Sequence, residues 1–178
     1  MNVAIALMGL PGSGKTRVAK SLRERAQLAL VSRDLIRAAM FDPCEHTELE
    51  KHAAHEAAML SIEHCLALGR SCVIDGMTFS RNVDVERVRE IARKTGAHFM
   101  PVYFDCPVEV AQERIRNDVK ATNNHHRSGE AELVAKVAER FETPPIDAIV
   151  IDGTLDSEIL VELLVPHIER ITPETIRS

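Results

Sequence analysis

Eight residues near the N-terminus, Gly9-Leu10-Pro11-Gly12-Ser13-Gly14-Lys15-Thr16, fill the pattern G-x-x-x-x-G-K-[ST] completely. Each residue type there has a chemical reason. Glycines let the backbone curl so that successive N–H groups point at one spot, and the helix start that follows adds its partial positive charge. Together they form a cradle for phosphate. Lys15 is a compact cation suited to bridge the β- and γ-phosphates of a nucleoside triphosphate, and the Thr16 hydroxyl is a Mg²⁺ ligand. ATP and Mg²⁺ are therefore the expected cofactors. The bland alternative, a glycine-rich hairpin without a ligand, does not explain Lys15 and Thr16 at these places.

A phosphate cradle needs a carboxylate beside an acceptor before it can transfer anything. Ser32-Arg33-Asp34-Leu35-Ile36-Arg37 supplies one. Asp34 and Arg37 are three apart, so on a first helical turn they share a face. Asp34 is expected to orient the attacking hydroxyl and accept its proton, and Arg37 to hold an anionic part of the acceptor. The structural alternative is a helix-start charge paired with Arg37. Asp75, closing the apolar run Ser71-Cys72-Val73-Ile74-Asp75, is the second carboxylate. It would serve the Mg²⁺ shell or the acceptor, or would only form a turn before Gly76.

The elements that must position these groups follow from hydrophobic periodicity. Asn2 to Met8 is a short apolar run ended by Gly9, as in a buried parallel strand. Leu28 to Val31, Ser71 to Asp75, Ala97 to Phe104 and Ala148 to Ile151 read as further strands. Between them, apolar residues at helical spacing predict helices over 16–27, 32–40, 47–68, 80–94, 108–118, 130–141 and about 156–169. Ser32 is a plausible cap, Pro43 an interruption, and Gly69 and Gly96 are helix stops. Strands alternating with helices imply a parallel sheet covered on both faces. The stretch 119–129 (VKATNNHHRSG) is polar and without periodicity, and reads either as a candidate lid or as an ordinary exposed loop.

Composition bounds the partners. The chain has 178 residues, 22 Lys plus Arg against 27 Asp plus Glu, and 45% apolar content. That size fits a single domain spanning 1–178. No apolar run reaches the ~18–20 residues of a membrane span, and the N-terminus lacks the basic flank of a signal peptide, so a cytoplasmic setting is expected. A net charge of −5 with no Trp and one Tyr argues against a broad basic footprint or a base-stacking platform. The first 41 residues nevertheless carry seven basic and two acidic side chains, so a local positive cleft is compatible with the acidic whole. Cys44, Cys65, Cys72 and Cys106 are scattered and expected to be reduced core residues. His46, His52, His55, His64, His125 and His126 offer a pair at 52 and 55 but no third metal ligand. No Asn-Lys-x-Asp signal marks a guanine-specific switch. The chain is also too short for the sensor elements of large multimeric ATPases, which leaves a small phosphotransferase as the leading class.

The strings GLPGSGKT, VSRDLIR, SCVIDGMTFSR and VYFDCPVEVAQERIRND together resemble the small P-loop kinases grouped with polynucleotide 5′-hydroxyl kinase, zeta-toxin-like and gluconate-type enzymes. The resemblance covers roughly Val3 to Thr143. It implies a three-layer α/β fold of the P-loop NTPase type, a five-stranded parallel sheet in the order 2-3-1-4-5 with helices on both faces and a lid. It also implies ATP-dependent phosphorylation of a hydroxyl. Asp34 falls where that branch has its catalytic aspartate, and Arg37 where it has an acceptor-phosphate arginine. Arg114 and Arg116 fall where related kinases stack arginine on adenine and clamp phosphates; a solvated helix face is the alternative. In the candidate lid, Lys120 or Arg127 would supply charge to the transferring phosphoryl group. One departure bears on the acceptor: the branch carries Asp-Thr-Asn where this chain has Asp75-Gly76-Met77.

The leading reading is thus a small-molecule O-kinase. The alternatives are a polynucleotide 5′-hydroxyl kinase acting on an oligonucleotide or RNA end, and a nucleotide-binding regulator or toxin-like module with weak turnover. Base preference and oligomeric state are not encoded in these signals.

Overall fold

In chain order the elements are β1 (Val3–Met8), α1 (Lys15–Arg25), β2 (Ala29–Ser32), α2 (Arg33–Met40), α3 (Glu48–Ala67), β3 (Cys72–Asp75), α4 (Asn82–Thr95), β4 (His98–Asp105), α5 (Val108–Thr122), α6 (Glu130–Glu139), β5 (Ile149–Asp152) and α7 (Ser157–Ile171). The computed structural model describes residues 1–122 and 130–172. All strand pairs are parallel, and the order across the sheet is β2-β3-β1-β4-β5.

The central strand explains the layering. All six residues of β1 are fully buried. Successive strand side chains point to opposite faces, so an unbroken apolar run requires cover on both. Val3, Ile5 and Leu7 meet α1 and α7 through Val18, Leu22, Leu160 and Leu164. Ala4, Ala6 and Met8 meet α3 and α4 through Met59, Ile62, Val85 and Val88. A third apolar cluster joins Leu10 of the phosphate loop to Ala111 and Ile115 of α5 and to Val134 of α6. The loop is thereby anchored on its far side by a helix pair.

Helix starts show which chemistry ends each strand turn. The Ser32 hydroxyl accepts from Leu35 N at 3.4 Å and opens α2 directly at the end of β2. Thr47 and Glu50 form a reciprocal capping box at α3, with Glu50 N donating to Thr47 Oγ1 at 3.2 Å and Thr47 N to Glu50 Oε2 at 2.9 Å. Glu50 also accepts from Glu45 N, and these backbone donors hold its carboxyl below the usual carboxylate range. α4 has no local side-chain cap. Its first N–H, on Asn82, instead donates to the Glu142 carboxylate at 2.7 Å, sixty residues away, while Glu142 N donates to Ser80 O.

Two expectations change. α5 continues to Thr122, past the end at Asp118 that periodicity suggests, because Lys120 and Ala121 are strong helix formers with no glycine or proline among them. The first four residues of the candidate lid are therefore helical backbone, and 123–129 lie outside the described residues. Of the four cysteines, all free, Cys72 and Cys106 are buried as expected, but Cys44 and Cys65 are only partly so. Cys65 packs against the apolar cluster on the α3 and α4 side of the sheet, and the thiols of Cys44 and Cys65 donate to Glu50 Oε2 and Arg70 O respectively. Among the described residues no helix is long and apolar enough to cross a membrane.

Candidate active site

The phosphate loop leaves β1 at Gly9 and enters α1 at Lys15. Gly14 is the residue before the first turn of α1 and has φ +94°, and Gly12 has φ +81°, a region that favours glycine. A Cβ on Gly12 would overlap the carbonyl oxygen of Ala111, so α5 sits tight against the loop. Gly9 N donates to Thr78 O at 3.0 Å, tying the loop to the segment after β3.

Lys15 is almost fully buried and turned back into its own loop. Its Nζ donates to Gly9 O at 2.9 Å, to Leu10 O at 2.6 Å and to Ser13 Oγ at 3.2 Å. Burial pushes the ammonium pKa down to about 8, against the opposing pull of Asp75. The free protein therefore begins to hold a neutral amine as pH rises through about 8, well below the ordinary lysine value. A bound polyphosphate requires the ammonium. Nucleotide binding at pH 9 is expected to take up part of a proton, and affinity to fall as pH climbs above about 8. Calorimetric titrations in two buffers of different ionisation enthalpy would measure this; equal heats at pH 9 would contradict it.

Thr16 and Asp75 lie side by side, the Thr16 hydroxyl donating to Asp75 Oδ1 at 3.0 Å. Asp75 ends β3 and is only 5% exposed. A hydroxyl and a carboxylate oxygen beside the loop lysine are the hard donors that Mg²⁺ takes. These residues fit the ion, and Thr16 and Asp75 are the groups that would hold it, directly or through water.

Asp34 is brought to the same end of the sheet by register, since Ser32 on β2 pairs with Asp75 on β3. Its Oδ1 faces Arg37 Nη2 at 3.3 Å and Arg33 Nη2 at 3.6 Å. Its other side lies against Gly76, where a Cβ would stand 3.0 Å from Asp34 N and 3.1 Å from Asp34 Oδ2. Gly76 also has φ +76°. Gly76→Ala is expected to displace Asp34, lowering kcat while leaving nucleotide affinity near wild type. An unchanged kcat would show that Asp34 tolerates the shift.

Arg114 is at the lip of the loop, its guanidinium donating to Gly153 O at 2.6 Å and Thr154 O at 2.8 Å, so it binds α5 to the turn after β5. Arg116 is exposed. Lys120 lies on the last turn of α5, and its side chain, like Arg127, lies outside the described residues. On the acceptor side, His55 Nε2 faces Asp84 Oδ1 at 3.7 Å, and burial pushes its imidazole pKa down. No group of three or more His, Cys, Asp or Glu is placed to hold a metal among the described residues. An open cavity of about 440 Å³ lined by His98, Phe99, Asp147, His167 and Arg170 lies at the opposite ends of β4 and β5.

The structure therefore gathers Lys15, Thr16, Asp75, Asp34 and Arg37 along the ends of β1, β3 and β2, where ligands of open α/β sheets gather. Sequence reasoning did not assign Gly76, Arg33 or the Thr78 carbonyl. For Gly76 a signal was present, a glycine directly after a strand-ending aspartate.

A parallel sheet in this order, with a buried lysine in a glycine loop after its central strand, defines a P-loop nucleotide-binding protein. Residues 5–144 match the family described as AAA domain, and the chain belongs to that family. A protein named probable adenylyl-sulfate kinase from Aeropyrum pernix is 26% identical over 155 residues, spanning 84% of this chain and 82% of its own. An adenylyl-sulfate kinase from Clostridium kluyveri is 28% identical over 162 residues, spanning 87% and 77%. The crystal structure of a sugar kinase from Janibacter superposes with a TM-score of 0.72 at 19% identity over all of both chains, a likeness of fold. The protein is a small P-loop kinase, a transferase with an ATP-binding loop. Adenylyl-sulfate kinases are not among the groups that the motif strings resemble.

Proposed function

We propose that the protein transfers the γ-phosphate of ATP to a hydroxyl of a small molecule. The observation that carries this reading is the position of Asp34. One carboxylate oxygen is held by two guanidiniums, the other faces the Gly76 turn, and the phosphate loop and Asp75 lie alongside. Asp34 accepts the proton of the hydroxyl as its oxygen forms the new bond to the γ-phosphorus and the bond to the departing ADP breaks. Arg37 orients an anionic part of the acceptor. Lys15 turns from its loop carbonyls to the β- and γ-phosphates, and Thr16 and Asp75 would hold Mg²⁺. When bound, Mg²⁺ neutralises charge on the β- and γ-oxygens. Arg114 and Arg116 border the nucleotide from α5, and Lys120 or Arg127 supplies charge to the transferring phosphoryl group.

The relatives' names support a small acceptor. The basic first 41 residues support a second reading, a 5′-hydroxyl of an oligonucleotide or RNA end. Phosphate contacts along a strand release counterions, so activity on such an end would fall steeply with salt, whereas a small acceptor would show a shallow dependence. The test is transfer of labelled γ-phosphate to a panel of adenylyl sulfate, sugars, gluconate, nucleosides, aminoglycosides and 5′-hydroxyl oligonucleotides. Transfer to a small acceptor, abolished by Lys15→Ala, is expected. Phosphorylation of no member of the panel would favour a nucleotide-binding regulator instead.

A further inference from the structure

The turn between α3 and β3 sets two thiols against each other. α3 ends at Ala67 and β3 begins at Cys72. Gly69 N donates to Leu66 O at 2.9 Å and Arg70 N to Cys65 O at 3.1 Å, the pair of bonds that closes a helix and reverses the chain. Beyond the reversal, Ser71 Oγ accepts from Val3 N at 3.1 Å and Ser71 O from Ala29 N at 2.9 Å. Cys72 then pairs in register with Ala4 and Ala29. The helix thus fixes Cys65 and the sheet fixes Cys72. Their side chains meet, the Cys72 thiol lying within hydrogen-bonding reach of Cys65 Sγ.

The two thiols differ in access and in character. Cys72 is fully buried in the apolar cluster on the α3 and α4 side of the sheet, whereas Cys65 packs against that cluster and keeps part of its surface in solvent. As a thiol, Cys65 donates to Arg70 O at 3.7 Å. As a thiolate it accepts from the Cys72 thiol. That bond, helped by the Arg70 guanidinium, outweighs burial and brings the Cys65 pKa down to about 7. Donation to Cys65, together with burial, pushes the Cys72 thiol up. An accessible, readily ionised thiol touching a sealed one is the arrangement of a reacting and a resolving cysteine. Cys44 is also partly exposed, but its thiol faces the Glu50 carboxylate at 3.7 Å rather than another thiol.

We propose that Cys65 and Cys72 are a redox modification site, at which a low-molecular-weight disulfide such as oxidised glutathione converts the two thiols into a reversible internal disulfide that fastens the end of α3 to the start of β3. The Cys65 thiolate attacks one sulfur of the oxidant, forming a mixed disulfide and releasing a thiolate that takes up the proton Cys65 gave to solvent. Cys72 then loses its proton and attacks Cys65 Sγ, forming the Cys65–Cys72 bond and expelling the second thiol, which leaves with that proton. Two cysteine thiols are oxidised, and one disulfide is reduced to two thiols. The new bond joins segments that the fold already holds together, so it restrains chiefly the unfolded chain and raises the melting temperature. The site does not depend on the kinase reading.

The test treats the full chain, reduced and then freed of reductant, with oxidised glutathione at neutral pH, followed by an acid quench, intact mass, peptide mapping and a thermal melt. Wild type is expected to yield one cross-linked peptide pair, 65 with 72, with no glutathione retained at Cys65. Cys65 should be consumed at least threefold faster than Cys44. A dithiol reductant should reverse the link, and the oxidised form should melt higher than the reduced one. In Cys72→Ala the resolving thiol is gone, so Cys65 is expected to keep one glutathione. In Cys65→Ser, Cys72 is expected to stay unmodified in the folded chain. Glutathione retained at Cys65 of wild type, equal rates at Cys65 and Cys44, modification of Cys72 in Cys65→Ser, or an oxidised form that melts no higher would each overturn the proposal. Should Cys72→Ala fail to fold, the wild-type peptide map and Cys65→Ser decide alone.

Discussion

Asp34→Asn is expected to lower kcat for phosphoryl transfer by about 10²–10⁴-fold, the usual contribution of a positioned general base. Asparagine keeps the size of the side chain and an oxygen for Arg37, but cannot take the hydroxyl proton. The carboxylate is half-exposed and its ion pairs are open to solvent screening. Stability should therefore change by no more than about 1 kcal/mol. Nucleotide affinity should hold, since the lysine, threonine and glycines of the loop are untouched. The measurement is steady-state transfer beside MgADP binding and a thermal melt. A kcat within threefold of wild type would remove Asp34 from the chemistry and leave it as a helix-start charge.

Gly12→Ala is expected to be the most damaging single methyl group in the loop. Its Cβ would overlap the Ala111 carbonyl and reach 3.0 Å from the Ile115 side chain, both on α5. The backbone at φ +81° adds the left-handed penalty of roughly 1–2 kcal/mol. Because the obstacle is backbone, the loop must move, and displacement of positioned groups by about 1 Å can lower activity on the order of 10²-fold. Gly69 supplies the control. It has a similar φ of +74° but nothing within 4 Å of a new Cβ, so Gly69→Ala reports the backbone term alone. If the two variants lose equal stability and nucleotide affinity, the contact with α5 is not what confines the loop.

The legible parts of the sequence were those carried by short-range patterns. Six apolar residues before Gly9 specify a strand buried on both faces whatever surrounds them. Ser32 caps the helix it predicts, and the helix expected from residue 47 has Thr47 as its N-cap. The pairing of Asp34 with Arg37 follows from their spacing on one turn. What escaped were contacts made by residues that spacing leaves ambiguous. α5 runs on because Lys120 and Ala121 suit a helix even without an apolar stripe, and a stripe was the signal used to end it. The guanidinium of Arg114 donates to the carbonyls of Gly153 and Thr154, a partner that no local pattern names. The start of α4 shows the same limit, since its cap, Glu142, comes from the connection before β5.

The sequence by itself determined that a phosphate loop follows a buried strand, that strands and helices alternate, and that Asp34 and Arg37 face one way. These depend on periodicity and on glycines within eight residues, and physics at that range needs no knowledge of the fold. Only the tertiary structure decided that Thr16 meets Asp75 across 59 positions, that Gly76 must lack a side chain for Asp34 to sit beside it, and that Arg33 keeps a sealed donor without a partner. Those facts arise from the order β2-β3-β1 and the register between neighbouring strands. Sheet order brings together strand ends that are distant in the chain, and close approach there is set by packing of whole layers rather than by any local run of residues.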